Sequence, residues 1–268
     1  MINFWQSKKI LVTGGAGFLG KHLIEKLIRQ GVEEENILVP EFKDYDLRKA
    51  EDCLKAVKRT DIIFHLAGVV GGIEFNRQHP GKTFFDNAAM ALNLIEASRL
   101  EKVEKFIGIG SVCAYPKFTP VPFKEEDLWS GYPEETNAPY GLAKKFMLVQ
   151  SQAYQEEYGL NAIHLLMLNL YGPGDNFDLK SSHVIPALIR KVYEAKKDKR
   201  YIEAWGTGKA TRDFLYVEDA AKGIILAAEK IDNGAGVNLG TMERIRVVDA
   251  AKEILRYTGK KPKIKFLP

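Results

Sequence analysis

Ile10-Leu11-Val12-Thr13-Gly14-Gly15-Ala16-Gly17-Phe18-Leu19-Gly20 is the stretch on which the fold turns. Three aliphatic residues lead into a turn with glycines at 14, 17 and 20, and a helical period begins at once. Leu19, Leu23, Leu27 and Ile28 share one face of a helix expected over Phe18–Gln30 and stopped by Gly31. Glycine permits a tight turn and lets backbone N–H groups approach a pyrophosphate, while the helix N-terminus adds partial positive charge there. Gly14, Gly15, Ala16, Gly17, Phe18, Leu19 and Gly20 are therefore candidate dinucleotide contacts. The spacing alone is a weak signal; between a strand and a helix it is a strong one.

Outward from this turn, short apolar runs alternate with longer helical periods. Strands are expected at Ile37–Val39, Asp61–Leu66, Lys105–Ile109 and Ala162–Leu168. Helices are expected at Arg48–Lys58, Phe84–Leu100 and Pro139–Tyr158, the last ended by Gly159. Continuous apolar strands separated by helices predict an α/β fold with a doubly wound parallel sheet, of the Rossmann type. Residues 1–170 are expected to form the dinucleotide-binding domain. After Gly172-Pro173-Gly174 the elements become shorter, and residues 171–268 are expected to form a smaller substrate-binding lobe, with 211–235 packing back on the sheet.

Composition sets outer bounds. The 268 residues are 46% apolar and 28% charged, which excludes a disordered or collagen-like chain. Lys and Arg exceed Asp and Glu by 39 − 35 = 4, too little for a nucleic-acid binder. Cys53 and Cys113 stand sixty residues apart, which disfavours a disulfide framework or a cysteine-built metal site and points to the cytoplasm. No apolar run approaches the roughly 20 residues of a membrane span. The basic tail Gly259–Lys265 is expected to be a solvated surface.

Two further sets of residues carry chemistry. Past the second strand, Glu41 would favour an unphosphorylated ribose and Lys43 a 2′-phosphate, so the pair leaves NADP or NAD open, with NADPH modestly favoured. Tyr140 and Lys144 stand four apart at the start of a helix and thus share a face. They follow a strand ending in Gly110-Ser111, at the carboxyl edge where ligands bind in such sheets. A lysine cation, aided by the positive nicotinamide ring of a bound cofactor, is expected to lower the tyrosine pKa from about 10 and ready it for proton exchange, with Ser111 bonding the same substrate oxygen.

The glycine turn with Ser111, Tyr140 and Lys144 resembles the extended short-chain dehydrogenase/reductase superfamily. Within it, Val70–Ile73, Gly110–Lys117, Asn169–Phe177, Ser182–Leu188, Trp205–Gly208 and Arg212–Phe214 resemble the GDP-L-fucose synthase family. That resemblance implies an NAD(P)H-dependent enzyme that epimerises C3 and C5 of a GDP-4-keto-6-deoxy-hexose and then reduces C4. It implies Cys113 as the base and His183 as the acid of the epimerisation. It further implies cofactor contacts at Asp46, Leu47, Ala67, Lys144, Asn169, Leu170 and His183, and substrate contacts at Asn169, Lys191, Trp205 and Arg212. A homodimer and a GDP-sugar substrate follow from the same likeness; no metal, membrane or nucleic-acid partner is expected. Ala16 departs from relatives with arginine in this turn, and the family usually runs several dozen residues further, so either a fragment or a reduced lobe is expected. The rival readings are an NAD-dependent sugar-nucleotide epimerase or dehydratase with no net redox, and a non-catalytic nucleotide sensor.

Overall fold

A computed structural model describes residues 4–179, 181–195, 201–232, 234–259 and 263–267, with the backbone alone for Ile73, Trp205 and Phe266. Contacts divide the chain into two compact units, Met1–Leu168 with Val217–Leu239, and Asn169–Tyr216 with Gly240–Pro268.

The first unit runs β1 (Ile10–Thr13), α1 (Phe18–Arg29), β2 (Ile37–Leu38), α2 (Ala50–Val57), β3 (Ile62–His65), α3 (Ile73–Gln78), α4 (Pro80–Leu100), β4 (Lys105–Ser111), α5 (Ala138–Tyr158) and β5 (Ala162–Met167). The second contributes β6 (Asn169–Tyr171), α6 (Val184–Glu194), β7 (Tyr201–Trp205), β8 (Thr211–Arg212) and β9 (Phe214–Tyr216). The chain then returns to the first unit with α7 (Val217–Lys230) and β10 (Gly236–Leu239), and ends in the second with β11 (Ile245–Arg246), α8 (Val247–Thr258) and β12 (Lys263–Leu267).

The first unit is a six-stranded sheet in the order β10-β5-β4-β3-β1-β2, parallel throughout. Its strands are apolar end to end because both faces are covered. One row across the sheet, Leu11, Ile63, Phe106 and Ala162, packs with Cys53, Ala56 and Val57 of α2, Leu94 and Ile95 of α4, and Met147 of α5. On the opposite side α1 packs on α7. The doubly wound parallel sheet expected from the glycine turn and the apolar runs is the sheet of this unit. The sequence did not anticipate α3 or β10, and it started α4 at Phe84 where the helix begins at Pro80. Proline fits there because the first-turn N–H has no helical acceptor.

The second unit is built of small pairs. β6 pairs β9 and β7 pairs β12, both parallel, while β8 pairs β11 antiparallel. Leu188 of α6, Ala204 of β7 and Ala251 of α8 form its core with Val247, Ile254 and Ile264. In the basic tail, Lys263 and Lys265 are exposed as expected, and Ile264 between them turns inward as part of β12. Lys260, Lys261 and Pro262 lie outside the described residues.

Gly20 holds α1 against the turn before it. A Cβ there would collide with the Gly14 carbonyl oxygen and stand 2.5 Å from the Gly15 Cα. Gly20→Ala therefore gains about 1 kcal/mol of helix propensity and loses more to backbone displacement, for a net cost of about 2 kcal/mol. Gly81→Ala in α4 meets nothing within 4 Å and should be neutral or slightly stabilising. Denaturant unfolding of the two variants checks the contrast.

Candidate active site

β1 delivers the glycine turn at the carboxyl edge of the sheet. Gly14 has φ 71°, and a Cβ on it would stand 2.8 Å from the Ala67 N, so the end of β1 meets the end of β3 backbone to backbone. The Gly17 N–H donates to the Gly14 carbonyl at 3.0 Å, and Gly17 starts α1 with extended backbone. No side chain caps that helix and its first turn carries no acid, so its own first turn leaves the positive end unneutralised. Ala67 N–H donates to Thr13 Oγ1 at 3.2 Å, and Thr13 Oγ1 lies 2.8 Å from His65 Nδ1. Burial lowers the His65 pKa to about 3, helped by the Lys144 charge, so the ring is neutral.

Asn87 of α4 fixes the loop that follows Ala67. Its Nδ2 donates to the Val69 carbonyl (3.0 Å) and the Thr83 carbonyl (2.7 Å), and its Oδ1 accepts from Val69 N–H (3.1 Å). Nothing in the sequence reading picked out Asn87, Thr13 or His65. The available signal is a buried polar residue inside an apolar strand or helix face, which is visible only once burial is known.

β4 and α5 bring Ser111, Cys113, Tyr140 and Lys144 together. Ser111 ends β4, and its Oγ accepts the Cys113 N–H at 3.2 Å, which caps the short turn Val112–Ala114 and leaves the hydroxyl hydrogen free to donate. Gly141 follows Tyr140, and a Cβ on it would collide with the Cys113 carbonyl oxygen. Only glycine lets that turn rest on the first turn of α5. Cys113 is half-buried and forms no disulfide, whereas Cys53 is buried in α2, its thiol pushed up to about 12 by burial.

Lys144 is 4% exposed, and its Nζ stands 5.8 Å from the centroid of the Tyr140 ring. Burial pushes its pKa down to about 8. Burial also raises the Tyr140 phenol above its ordinary value, with the Cys113 charge adding to the rise. The expected lowering of Tyr140 by Lys144 is thus not what the chain's own residues produce. Desolvation is the larger influence, and it holds the phenol protonated, the form that can give a proton to an oxyanion.

Beneath these groups His164 of β5 is fully buried, with neither ring nitrogen hydrogen-bonded. Burial and the Lys144 charge lower its pKa to about 3. Glu41, Asp46 and Leu47 follow β2, where Asp46 forms an ion pair with Arg48 that lowers its carboxyl to about 2.

The remaining expected site residues belong to the second unit. Asn169 and Leu170 lie in β6, and Asn169 Nδ2 donates to the Asp213 carbonyl at 3.1 Å. His183 is exposed at the start of α6 and makes no side-chain cap. Lys191 Nζ donates to the Glu203 carbonyl at 2.9 Å, and Arg212 Nη1 to the Thr211 carbonyl at 2.8 Å. Trp205 ends β7, and its side chain lies outside the described residues. Beside α6 a mainly apolar recess of about 210 Å³ is lined in part by Tyr171, Asp175, Phe177 and Ile185.

Residues 10–240 match the model of the NAD dependent epimerase/dehydratase family. The chain belongs to that family. It is 37% identical over 262 residues to a GDP-L-fucose synthase of Sinorhizobium fredii, covering 97% of this chain and 82% of that relative. A GDP-L-fucose synthetase of Naegleria fowleri bound to NADP superposes with a TM-score of 0.89 at 28% identity, covering 99% of this chain and 82% of the other. A GDP-mannoheptose C4 reductase of Campylobacter jejuni with NADP bound gives 0.91 at 26%, covering 100% and 89%. The family's dinucleotide fits the residues present: a glycine cradle that a Cβ would fill, and an uncapped helix end without an acid.

Burying Lys144 has a cost that pH removes. Below pH 8 it is cationic both folded and unfolded, and the desolvation penalty is complete. As pH rises from 8 to the ordinary lysine value of 10.5 the folded state sheds its proton first and the penalty disappears. Lys144→Met should therefore stabilise the protein at pH 7 by on the order of 2–3 kcal/mol, at about 1.4 kcal/mol per pKa unit. The gain over wild type should shrink towards pH 10.5, as read by urea unfolding at each pH.

Proposed function

We propose that this protein is an NAD(P)H-dependent epimerase and reductase that converts a GDP-4-keto-6-deoxy-hexose to GDP-L-fucose or a close relative. The observation that carries this reading is the meeting of Ser111, Cys113, Tyr140 and Lys144 around Gly141. Gly14–Gly20 and Ala67, with Glu41, Asp46 and Leu47, would hold the dinucleotide, and Asn169, Leu170 and His183 are the contacts that the family resemblance adds. When bound, the reduced cofactor supplies a hydride.

The substrate's C4 ketone acidifies the protons on C3 and C5. Cys113 as thiolate takes one such proton, leaving an enolate whose oxygen the Ser111 hydroxyl supports, and His183 returns a proton on the opposite face. Once the Cys113 thiol has released its proton to solvent and His183 has regained one, the same exchange at the second carbon completes the inversion. Reduction at C4 then places negative charge on oxygen, and Tyr140 gives that oxygen its proton. The buried Lys144 cation offsets the phenolate that results. Asn169, Lys191, Trp205 and Arg212 hold the sugar nucleotide, Arg212 suiting a diphosphate through its planar fork. Each turnover consumes one NAD(P)H and one proton, which separates this activity from epimerisation without net redox.

The likeness to a heptose C4 reductase favours a second reading, reduction at C4 without inversion. The stereochemistry of the product, read by NMR, separates the two.

The proposal carries a cytoplasmic homodimer with it. Phe85 and Leu92, seven apart on α4, and Phe146 and Val149 on α5 are exposed on two helices that pack together. A second copy would bury them. Phe85→Glu with Leu92→Glu should give a monomer by light scattering where wild type gives a dimer.

Two variants separate the chemical steps. Tyr140→Phe should lower C4 reduction by about 100- to 10,000-fold while substrate protons still exchange with deuterated water. Cys113→Ser should stop that exchange and still reduce the uninverted ketone, because a serine hydroxyl is too weak an acid to replace a thiolate. Wild-type exchange in Cys113→Ser would leave Cys113 with a packing role alone.

A further inference from the structure

The segment after β2 adjoins the glycine turn. Val39 Cγ1 and Cγ2 lie 2.9 Å from where a Cβ on Gly15 would stand, so the chain leaving β2 runs against the glycine turn. Glu41 is the first charged residue past that contact. Of the cations that follow, Lys43 and Arg48 are engaged with carboxylates. Lys43 Nζ lies 3.0 Å from Glu41 Oε2. Arg48 grips Asp46 with two bonds, Nε to Oδ1 and Nη2 to Oδ2, each 2.8 Å, and its Nη1 reaches Asp86 Oδ1 at 3.2 Å. Its guanidinium stands 5.2 Å over the Phe42 ring, and Asn93 Nδ2 holds its carbonyl at 2.8 Å. Lys82 takes the other Asp86 oxygen at 2.5 Å. Lys49 is exposed beside Asp46 and Asp52.

These cations differ in how readily they are released. Arg48 serves two carboxylates, one of them the buried Asp86, and its planar fork is already filled, so a phosphate would have to displace both. The exposed Lys43–Glu41 pair opens easily. Opening it, however, leaves the Glu41 carboxylate beside any phosphate that Lys43 would hold. The same carboxylate is a ready acceptor for a ribose 2′-hydroxyl. Glu41 and Lys43 weigh equally in the sequence. They do not in the structure, because Glu41 opposes a 2′-phosphate whether Lys43 is paired or free.

We infer that this chain binds NAD(H) in preference to NADP(H), with Glu41 as the discriminating residue. The inference rests on the glycine turn being the dinucleotide site, and it separates this chain from the two NADP-bound structures it resembles.

Isothermal titration calorimetry of the full chain with NADH and with NADPH, without substrate, provides the test. Wild type should bind NADH at least about tenfold more tightly, equivalent to about 1.4 kcal/mol. Glu41→Ser removes the acceptor and the repulsion together. It should weaken NADH, tighten NADPH and bring the two within about threefold, a gap below 1 kcal/mol. Glu41 is exposed, and circular dichroism confirms that the variant folds. Tighter binding of NADPH by wild type, or an unchanged ratio in Glu41→Ser, overturns the inference while the dinucleotide site stands. Binding of neither cofactor overturns the dinucleotide site and the inference with it.

Discussion

Backbone contact without side chains between is the constraint on which the first unit depends. At Gly14 the end of β1 touches the end of β3, at Gly20 the helix α1 lies on its own turn, and at Gly141 the turn after β4 rests on α5. Each contact brings a polar backbone group to the carboxyl edge of the sheet. A methyl group at any of them would force the contacting elements apart. The cradle and the Ser111–Tyr140–Lys144 cluster are therefore products of the same device, used at two neighbouring places along that edge.

Burial then sets the chemistry of what those contacts assemble. Lys144 and Tyr140 are both displaced towards their neutral forms, and His65 and His164 are held neutral beneath them. The result is a region where the Lys144 charge is costly, and where that charge acts through little intervening solvent on any anion that forms nearby. Stability is given up to hold a cation there.

Much of this was legible in the residues. The aliphatic runs located β1 to β5 because strands buried on both faces carry no polar alternation, and Gly31 and Gly159 marked helix ends. The Tyr140–Lys144 spacing placed both on one face of α5. What the sequence hid depends on contacts distant along the chain. β10 is a strand because β5 offers it a free edge, and Gly236–Leu239 alone is too short and weak to announce itself. Gly141 reads as an ordinary helical glycine until the Cys113 carbonyl is seen against it. The rise of the Tyr140 pKa in the chain by itself is hidden from the sequence, because proximity to a cation is readable from spacing, whereas desolvation is not. The pairing of Arg48 with Asp46 and Asp86 joins α4 to the loop after β2, and no local pattern foretells it.

The first unit is interrupted in sequence: β10 completes its sheet only after the chain has left to build β6–β9 and come back. During synthesis, β5 must wait about seventy residues for the strand that covers its edge. Through that interval the nascent sheet carries a row of unpaired backbone groups, a template for pairing with another chain. Assembly of this protein in the cell thus has a vulnerable period whose length is set by the size of the inserted lobe, and a ribosome that stalls within it leaves a product with an adhesive edge.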